Sequence, residues 1–514
     1  MKIIRAVLRI SSITMLSRIL GYVRDAVMAA TIGTGVVNDA FIAAFKLTNL
    51  FRTIFGEGAM SSAFTPMFSK LYISHGDKYA KTVAMHVQSL LILALLCFVG
   101  LIFSVMPWLI KITTPGFAKS PHAIDLAVEL AYITFPYLFF ISIAAFYGSI
   151  LNAKDKFMPY AATSVLLNIV VILGISVFTI STVVDGGEYN VHVLAYSTLV
   201  AGIIELLWMI IFAKKNNLLL PFRRPYWYKY TKLLMKRLLP ALAGSGVAQI
   251  NIWIDMIIVS FVPGGMSYLY FADRIIQLPL ALIGTALGTV MLATVARSKD
   301  VAQTNLLFSK SVIFSGFLVL PAAFGIYATA FDTVDVLFAR GRFDLVAVQN
   351  TAAALALWTW ALPAFVMMKV LTSILYARGD TKTPVKVAVL AVLVNAAVGL
   401  GLLKYYSYLS VVIASIASSW LSVAILLIVL HRNYSIGCNY AVMASLAKSI
   451  FASCIMLIFI CQSRILLYET MNVALPKVLI FCILVLTAAG IYFGTSFLLG
   501  SFKDLRKMRI DMSS

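Results

Sequence analysis

Between Ser17 and Glu57 the chain places Arg18, Arg24, Asp25, Asp39, Lys46, Arg52 and Glu57 in a background apolar enough to lie in a bilayer. A charge at membrane depth costs about 2.5 to 3.5 kcal/mol on insertion scales, so such residues persist where they face a wet cavity or a partner. The second half of the chain adds Asp255, then Asp273 and Arg274 within SYLYFADRIIQLP, and later Lys369. Arginine presents a planar fork of donors suited to phosphate and stays charged at any accessible pH. A cavity rich in arginine therefore suits a phosphorylated or otherwise anionic substrate. Any one of these charges can equally be half of an ion pair that pins two helices together.

Helical geometry sorts the set. Arg18 and Asp25 are seven residues apart and share a face, whereas Arg24 points about 120° away at 3.6 residues per turn. Asp39, Lys46 and Glu57 come round to one face of the next segment, with Arg52 displaced from it.

The elements that carry these residues follow from composition. Of 514 residues, 61% are hydrophobic and 12% charged, and mean hydropathy is +0.96. Soluble domains carry about a quarter charged residues. The chain reads as an all-α polytopic membrane protein, with segments long enough for a ~30 Å hydrocarbon core recurring from Ile3 to Gly500. About fourteen helices are expected, over roughly 7–32, 38–66, 83–112, 124–151, 158–183, 191–213, 230–261, 267–296, 306–330, 346–376, 384–404, 408–431, 440–463 and 474–500.

Other chemistries find little support. The cysteines Cys97, Cys438, Cys454, Cys461 and Cys482 form no CxxC pair and read as small buried hydrophobes. The histidines do not pair at metal-ligand spacing, and no nucleophile–base cluster suggests an enzyme. There is no GxxxxGK[ST] phosphate loop, which leaves a Na⁺ or H⁺ gradient or the membrane potential as the energy source rather than a bound cofactor. Asp255, alone in INIWIDMIIVSF, is the best single candidate to bind Na⁺ or H⁺; a polar contact across helices explains it equally well. The start, MKIIRAVLRI, lacks a small-residue cleavage site and reads as retained.

The net charge of +21 is concentrated in alternate loops, which puts both termini in the cytoplasm by the positive-inside rule. The basic, aromatic stretch from Lys214 to Arg237 reads as a topology signal touching anionic membrane lipid, not as a nucleic-acid site. It also joins two halves. Sliding the chain by about 224 to 228 residues brings ILNAKDKFMP (150–159) onto ILYARGDTKTP (374–384) and Lys46 onto Arg274. Duplication of this kind is typical of transporters. The offset covers six helices, so the copies are parallel. The expected organisation is a first lobe over 1–214, a basic linker over 215–229, a second lobe over 230–432, and two further helices with a basic tail over 433–514.

SSITMLSRILGYVRDAVMAATIG, NDAFIAAFKLTNLFRTIFGEGAMSSAFTP, YFADRIIQLP, LFARGRF and YARGDTKTPVKV resemble the signatures of the MurJ (MviN) lipid II flippases, within the multidrug/oligosaccharidyl-lipid/polysaccharide exporter superfamily. The resemblance implies two six-helix lobes around a central cavity plus two C-terminal helices, and alternating access that moves lipid II, the undecaprenyl-pyrophosphate-linked disaccharide pentapeptide, to the outer leaflet of the bacterial inner membrane. Carried over by motif, Arg18, Arg24, Asp39, Arg52, Glu57 and Arg274 hold the head group, with Asp25, Lys46 and Asp273 beside them. Gln277 stands where some relatives have an acid. A sodium site described for some members maps onto Asp255 and Asp380, with Tyr376 where an amide ligand is expected. The alternatives are export of another polyprenyl-linked oligosaccharide, or of drugs; cationic drugs call for acidic walls, against the arginine excess.

Overall fold

The computed structural model describes residues 2–58, 64–180, 187–224, 226, 234, 236, 249–298, 300–437, 439–471 and 476–506, without the side chains of 2–11, 56–58, 180, 465–471 and 505–506. Every regular element among them is helical, as a lipid solvent demands of backbone groups that must be satisfied internally. The chain forms two compact units, Met1–Ser267 with Arg340–Phe343, and Tyr268–Ala339 with Asp344–Ser514.

The first unit contains α1 (Lys2–Ile32), α2 (Val36–Arg52), α3 (Thr65–Thr113), α4 (Pro121–Thr134), α5 (Tyr137–Asn152), α6 (Thr163–Ile180), α7 (Gly187–Lys215) and α8 (Gln249–Val259). Next comes α9 (Gly265–Pro279), whose opening residues belong to the first unit and whose remainder begins the second. The second unit continues with α10 (Ala286–Arg297), α11 (Val301–Ala328), α12 (Ala330–Phe338), α13 (Leu345–Trp358), α14 (Leu362–Ala377), α15 (Lys382–Tyr406), α16 (Leu409–Tyr434), α17 (Tyr440–Met471), α18 (Lys477–Leu498) and α19 (Ser501–Arg506).

Among the described residues, 11 helical stretches are long and apolar enough to cross a membrane, so this is a multi-pass membrane protein. They coincide with eleven of the expected spans. The others are α1 and α2, which carry the charge cluster, and the span expected over 230–261. Most of that last span lies outside the described residues; its described end is the apolar helix Gln249–Val259. The expected helix over 38–66 instead stops at Arg52 and continues as a π-helical turn, Thr53–Gly58. The next helix starts at Thr65, well before 83. Pro66 pre-organises its first turn, and Met67, Phe68 and Leu71 form a buried stripe. Interleaved lysines hide this stripe from a hydropathy reading. The helix passes Gly76 in a left-handed conformation (φ 79), where Asp77 bonds Lys81 and Lys154, each at 2.6 Å.

The duplication is visible in the backbone. α2 runs into the π-helical turn Thr53–Gly58, and α9 runs into another, Leu280–Thr285, at the offset the motifs predict. The turns after α5 and α14 also match: Lys156 N–H donates to the Leu151 carbonyl and Asp380 N–H to that of Leu375, both at 2.9 Å. Each turn holds one left-handed residue, Asp155 (φ 59) and Gly379 (φ 80). A glycine takes that conformation freely, whereas aspartate tolerates it through its short polar side chain.

Lipid tails are as apolar as leucine, so helices in a bilayer are held by close packing and hydrogen bonds, and small residues let backbones approach. Gly202 on α7 admits the Tyr137 ring, which a Cβ there would meet at 2.6 Å, and Gly148 admits Tyr160 at 2.5 Å. Phe64, Phe68 and Phe146 centre the core of the first unit. In the second, Phe317, Met456 and Tyr492 join α11, α17 and α18, with the Tyr492 hydroxyl donating to the Phe317 carbonyl at 2.6 Å.

The ARGRF segment docks on the end of α1, Arg342 N–H donating to the Ala30 carbonyl at 2.9 Å. A Cβ on Gly341 would lie 2.2 Å from the Ala30 oxygen, and one on Gly33 2.5 Å from the Arg342 oxygen. Both glycines are left-handed, at φ 59 and φ 77. Backbone strain alone costs about 1–3 kcal/mol at such positions. Gly341→Ala is therefore expected to lower the melting temperature of the solubilised protein by several degrees. Gly401→Ala, on α15 with nothing within 4 Å of its Cβ, is expected to leave it unchanged.

Candidate functional site

The charged residues singled out above lie on α1 and α2 in the first unit, and on α9, the counterpart of α2. Arg24 and Asp25 are both buried, at 8% and 1% exposure. The guanidinium folds onto its neighbour, with Nε and Nη2 donating to Asp25 Oδ1 at 3.0 and 2.8 Å. Both donors converge on one oxygen, a charge-assisted pair between neighbouring residues. Arg18, two turns earlier, is exposed. Gly21 between them faces Asn168 of α6, whose amide donates to the Ser17 carbonyl at 2.9 Å.

Asp39 is buried, and the α1–α2 turn explains its position: Gly33 and Gly35 adopt positive φ, and the Asn38 amide donates to the Gly33 carbonyl at 2.8 Å. Its carboxylate accepts from Gly264 N–H at 2.6 Å, Ser267 N–H at 2.8 Å and the Ser267 hydroxyl at 2.6 Å. Those donors are the unsatisfied first-turn amides that a helix start presents, here α9, and a carboxylate is a strong acceptor for them. Asp39 thus works as a helix cap, with the charge of Lys46 acting on it from two turns along α2.

Arg52 closes α2. Its Nε donates to Asn49 Oδ1 at 2.7 Å, and its charge acts on Glu205 of α7 and Tyr137 of α5. Phe51 beside it sits edge-on to Phe98 and Phe135, with ring centroids at 5.2 and 5.7 Å. Glu57 falls in the π-helical turn, and its side chain lies outside the described residues.

In the second unit, Arg274 donates through Nη2 to the Tyr270 hydroxyl at 2.9 Å and stands 4.9 Å over that ring. Asp273 accepts from the Gln277 amide one turn on. Gln277 thereby partners Asp273.

The two residues singled out for a coupling ion differ in setting. Asp255 is half-buried on α8. Asp380 caps α15, accepting from Thr383 N–H at 2.9 Å and Thr383 Oγ1 at 2.6 Å, and these bonds hold its carboxyl below the usual carboxylate range. Among the described residues no three His, Cys, Asp or Glu side chains gather as a metal site.

Sequence reading counts Glu205, a lone acid in the apolar run IIELLWM, among the acids inside helices but gives it no role in the site. It is 1% exposed and accepts a hydrogen bond from Tyr137, while its Oε2 has no hydrogen-bond partner among the described residues. A buried polar atom left in that state costs about 1–3 kcal/mol. Its isolation was the available signal; its partners, on two distant helices, were not.

A family model described as lipid II flippase MurJ matches residues 28–484. The probable lipid II flippase MurJ of Rickettsia prowazekii (strain Madrid E) is 32% identical over 507 residues, covering 97% of this chain and 98% of that one. The corresponding protein of Rhizobium tropici is 32% identical over 512 residues, covering 97% and 95%. Among solved structures, a lipid II flippase MurJ in an inward closed conformation superposes with a TM-score of 0.80 at 25% identity, covering 96% of this chain and 98% of that one. An inward-facing MATE multidrug resistance transporter of the MOP superfamily shares the fold at a TM-score of 0.63 and 14% identity, covering 82% and 97%.

Proposed function

Because the chain belongs to the lipid II flippase MurJ family, we propose that it carries lipid II from the inner to the outer leaflet of the bacterial cytoplasmic membrane by alternating access, with Arg18, Arg24, Arg52 and Arg274 binding the pyrophosphate. It is a transporter in peptidoglycan synthesis and not an enzyme. The observation that carries the binding role is the recurrence of cations ahead of both π-helical turns, Lys46 and Arg52 before Thr53, and Arg274 before Leu280. A π-helical turn is rare and favours functional positions. The arginine forks suit a diphosphate, while the undecaprenyl tail stays in lipid.

The distribution of basic loops supports both termini lying in the cytoplasm. Transport is driven by an ion gradient or the membrane potential, the latter worth about 2.3 kcal/mol per charge per 100 mV; Asp255 is the preferred ion-binding candidate, since Asp380 is engaged as a cap.

The test is complementation of a flippase-depleted bacterium, with surface labelling of lipid II. The wild-type chain is expected to restore growth and outward labelling. Restoration of neither, in cells where the chain is abundant in the membrane, would mean another polyprenyl-linked sugar is the substrate.

A further inference from the structure

The turns that follow α5 and α14 share a backbone, and their side chains repeat a second relation. Lys154 and Arg378 hold the same place in them, one residue before the left-handed Asp155 and Gly379. Each reaches back to an earlier helix of its own unit. In the first unit, Lys154 Nζ donates to Asp77 Oδ1 of α3 at 2.6 Å and lies 4.6 Å over the Tyr72 ring. Lys81 holds the other oxygen of Asp77, also at 2.6 Å. In the second unit, Arg378 Nη2 donates to the Thr304 hydroxyl of α11 at 2.6 Å. The two pairs span 77 and 74 residues, so the offset that relates the turns relates their partners as well. The acceptor is a carboxylate in one copy and a hydroxyl in the other. What the two copies share is therefore the link, not its chemistry.

The surroundings of the two links differ. Asp77 follows Gly76, which is left-handed at φ 79 and has nothing within 4 Å of its Cβ position. Packing does not brace the chain at that break, and the Asp77 side chain is 42% exposed. Thr304 is wholly buried, and its hydroxyl also donates to the Asp300 carbonyl at 3.0 Å and meets that of Ser298 at 3.2 Å. We propose that Lys154 and Arg378 are equivalent positioning residues, which latch the turn after α5 to α3 and the turn after α14 to α11 so that turn and helix move as one piece during transport. Only the first latch is ionic and exposed, so only the first responds to salt. The transport part of this rests on the alternating-access reading above; the latches themselves do not.

The experiment uses the full chain, with backbone hydrogen exchange in detergent as one readout and lipid II translocation in proteoliposomes as the other. Lys81 stays on Asp77 when Lys154 is removed, so Lys154→Ala leaves no orphaned acid and is expected to fold. It should speed exchange over 150–158 about fivefold, the upper end of what a partly exposed ion pair contributes, and leave 374–383 unchanged. Thr304→Val should do the reverse. Raising salt to about 1 M, where the screening length falls to about 3 Å, should loosen the first turn in the wild type and not in Lys154→Ala. Exchanging the charges, Asp77→Lys with Lys154→Asp, should restore slow exchange. Translocation is expected to fall in step with faster exchange while affinity for undecaprenyl pyrophosphate is retained. Unchanged exchange in Lys154→Ala, or a salt response equal in both turns, overturns the latches. Faster exchange with undiminished translocation, or loss of probe affinity along with the rate, overturns their role in transport. A wild-type chain that moves no lipid II overturns the flippase reading, and the exchange measurements still decide the latches.

Discussion

Arg274→Ala is expected to lower lipid II translocation by at least about thirtyfold while the protein stays folded in the membrane. Truncating one partner of a desolvated charge pair costs about 2–5 kcal/mol, and the lower figure already gives that factor. The side chain contacts Tyr270 one turn back on the same helix, and a cation–π contact at a partly exposed site is worth about 0.5–1 kcal/mol. Arg274→Lys should recover only part of the rate, because an ammonium keeps the charge and loses the fork. The check is surface labelling of lipid II at matched membrane abundance, with a melting curve for each variant. A variant that loses transport together with its melting transition would assign Arg274 a structural role instead.

Asp39 is expected to behave in the opposite way. Asp39→Ala removes the acceptor for Gly264 N–H, Ser267 N–H and the Ser267 hydroxyl, in a site where Asp39 is 1% exposed. Each buried polar group left unsatisfied costs about 1–3 kcal/mol, so a loss of about 3 kcal/mol in stability and a clear drop in melting temperature are expected, with transport falling as a consequence. Asp39→Asn keeps an acceptor oxygen and caps helices nearly as well as aspartate; it should recover most of the stability. If Asp39→Asn instead melts like wild type and transports as poorly as Asp39→Ala, the negative charge itself acts on substrate or on the transport cycle.

These contrasting expectations show what a sequence can carry. The hydrophobic runs were legible because a bilayer imposes a length on every span, and α4 to α7, α9 to α11 and α13 to α18 fall where those runs predict. The duplication was legible at two short motifs, and its physical content is a shared turn: Leu151 and Leu375 accept the same hydrogen bond at equivalent places. The stretch from Met67 to Lys81 was read as a loop because its lysines mask a one-sided apolar stripe. The candidate site was legible only as a set of residue types. That Asp39 meets Ser267, 228 residues away, or that Glu205 meets Tyr137, depends on which helices become neighbours, and no local period encodes that.

The paired π-helical turns bear on how the chain tolerates changes in length. A π-helical turn accommodates one more residue than an α-helical turn over the same rise, so the side chains beyond it are out of phase with those before it. Removing a single residue from Leu280–Thr285 would let α9 and α10 merge into one regular helix and turn everything from Ala286 to Arg297 by about 100°, taking Met291 and Val295 out of the core they now fill. The same holds for Thr53–Gly58. Single-residue deletions there should be far more damaging than conservative substitutions, and alignments built on a uniform helical wheel will misplace every residue downstream of either turn.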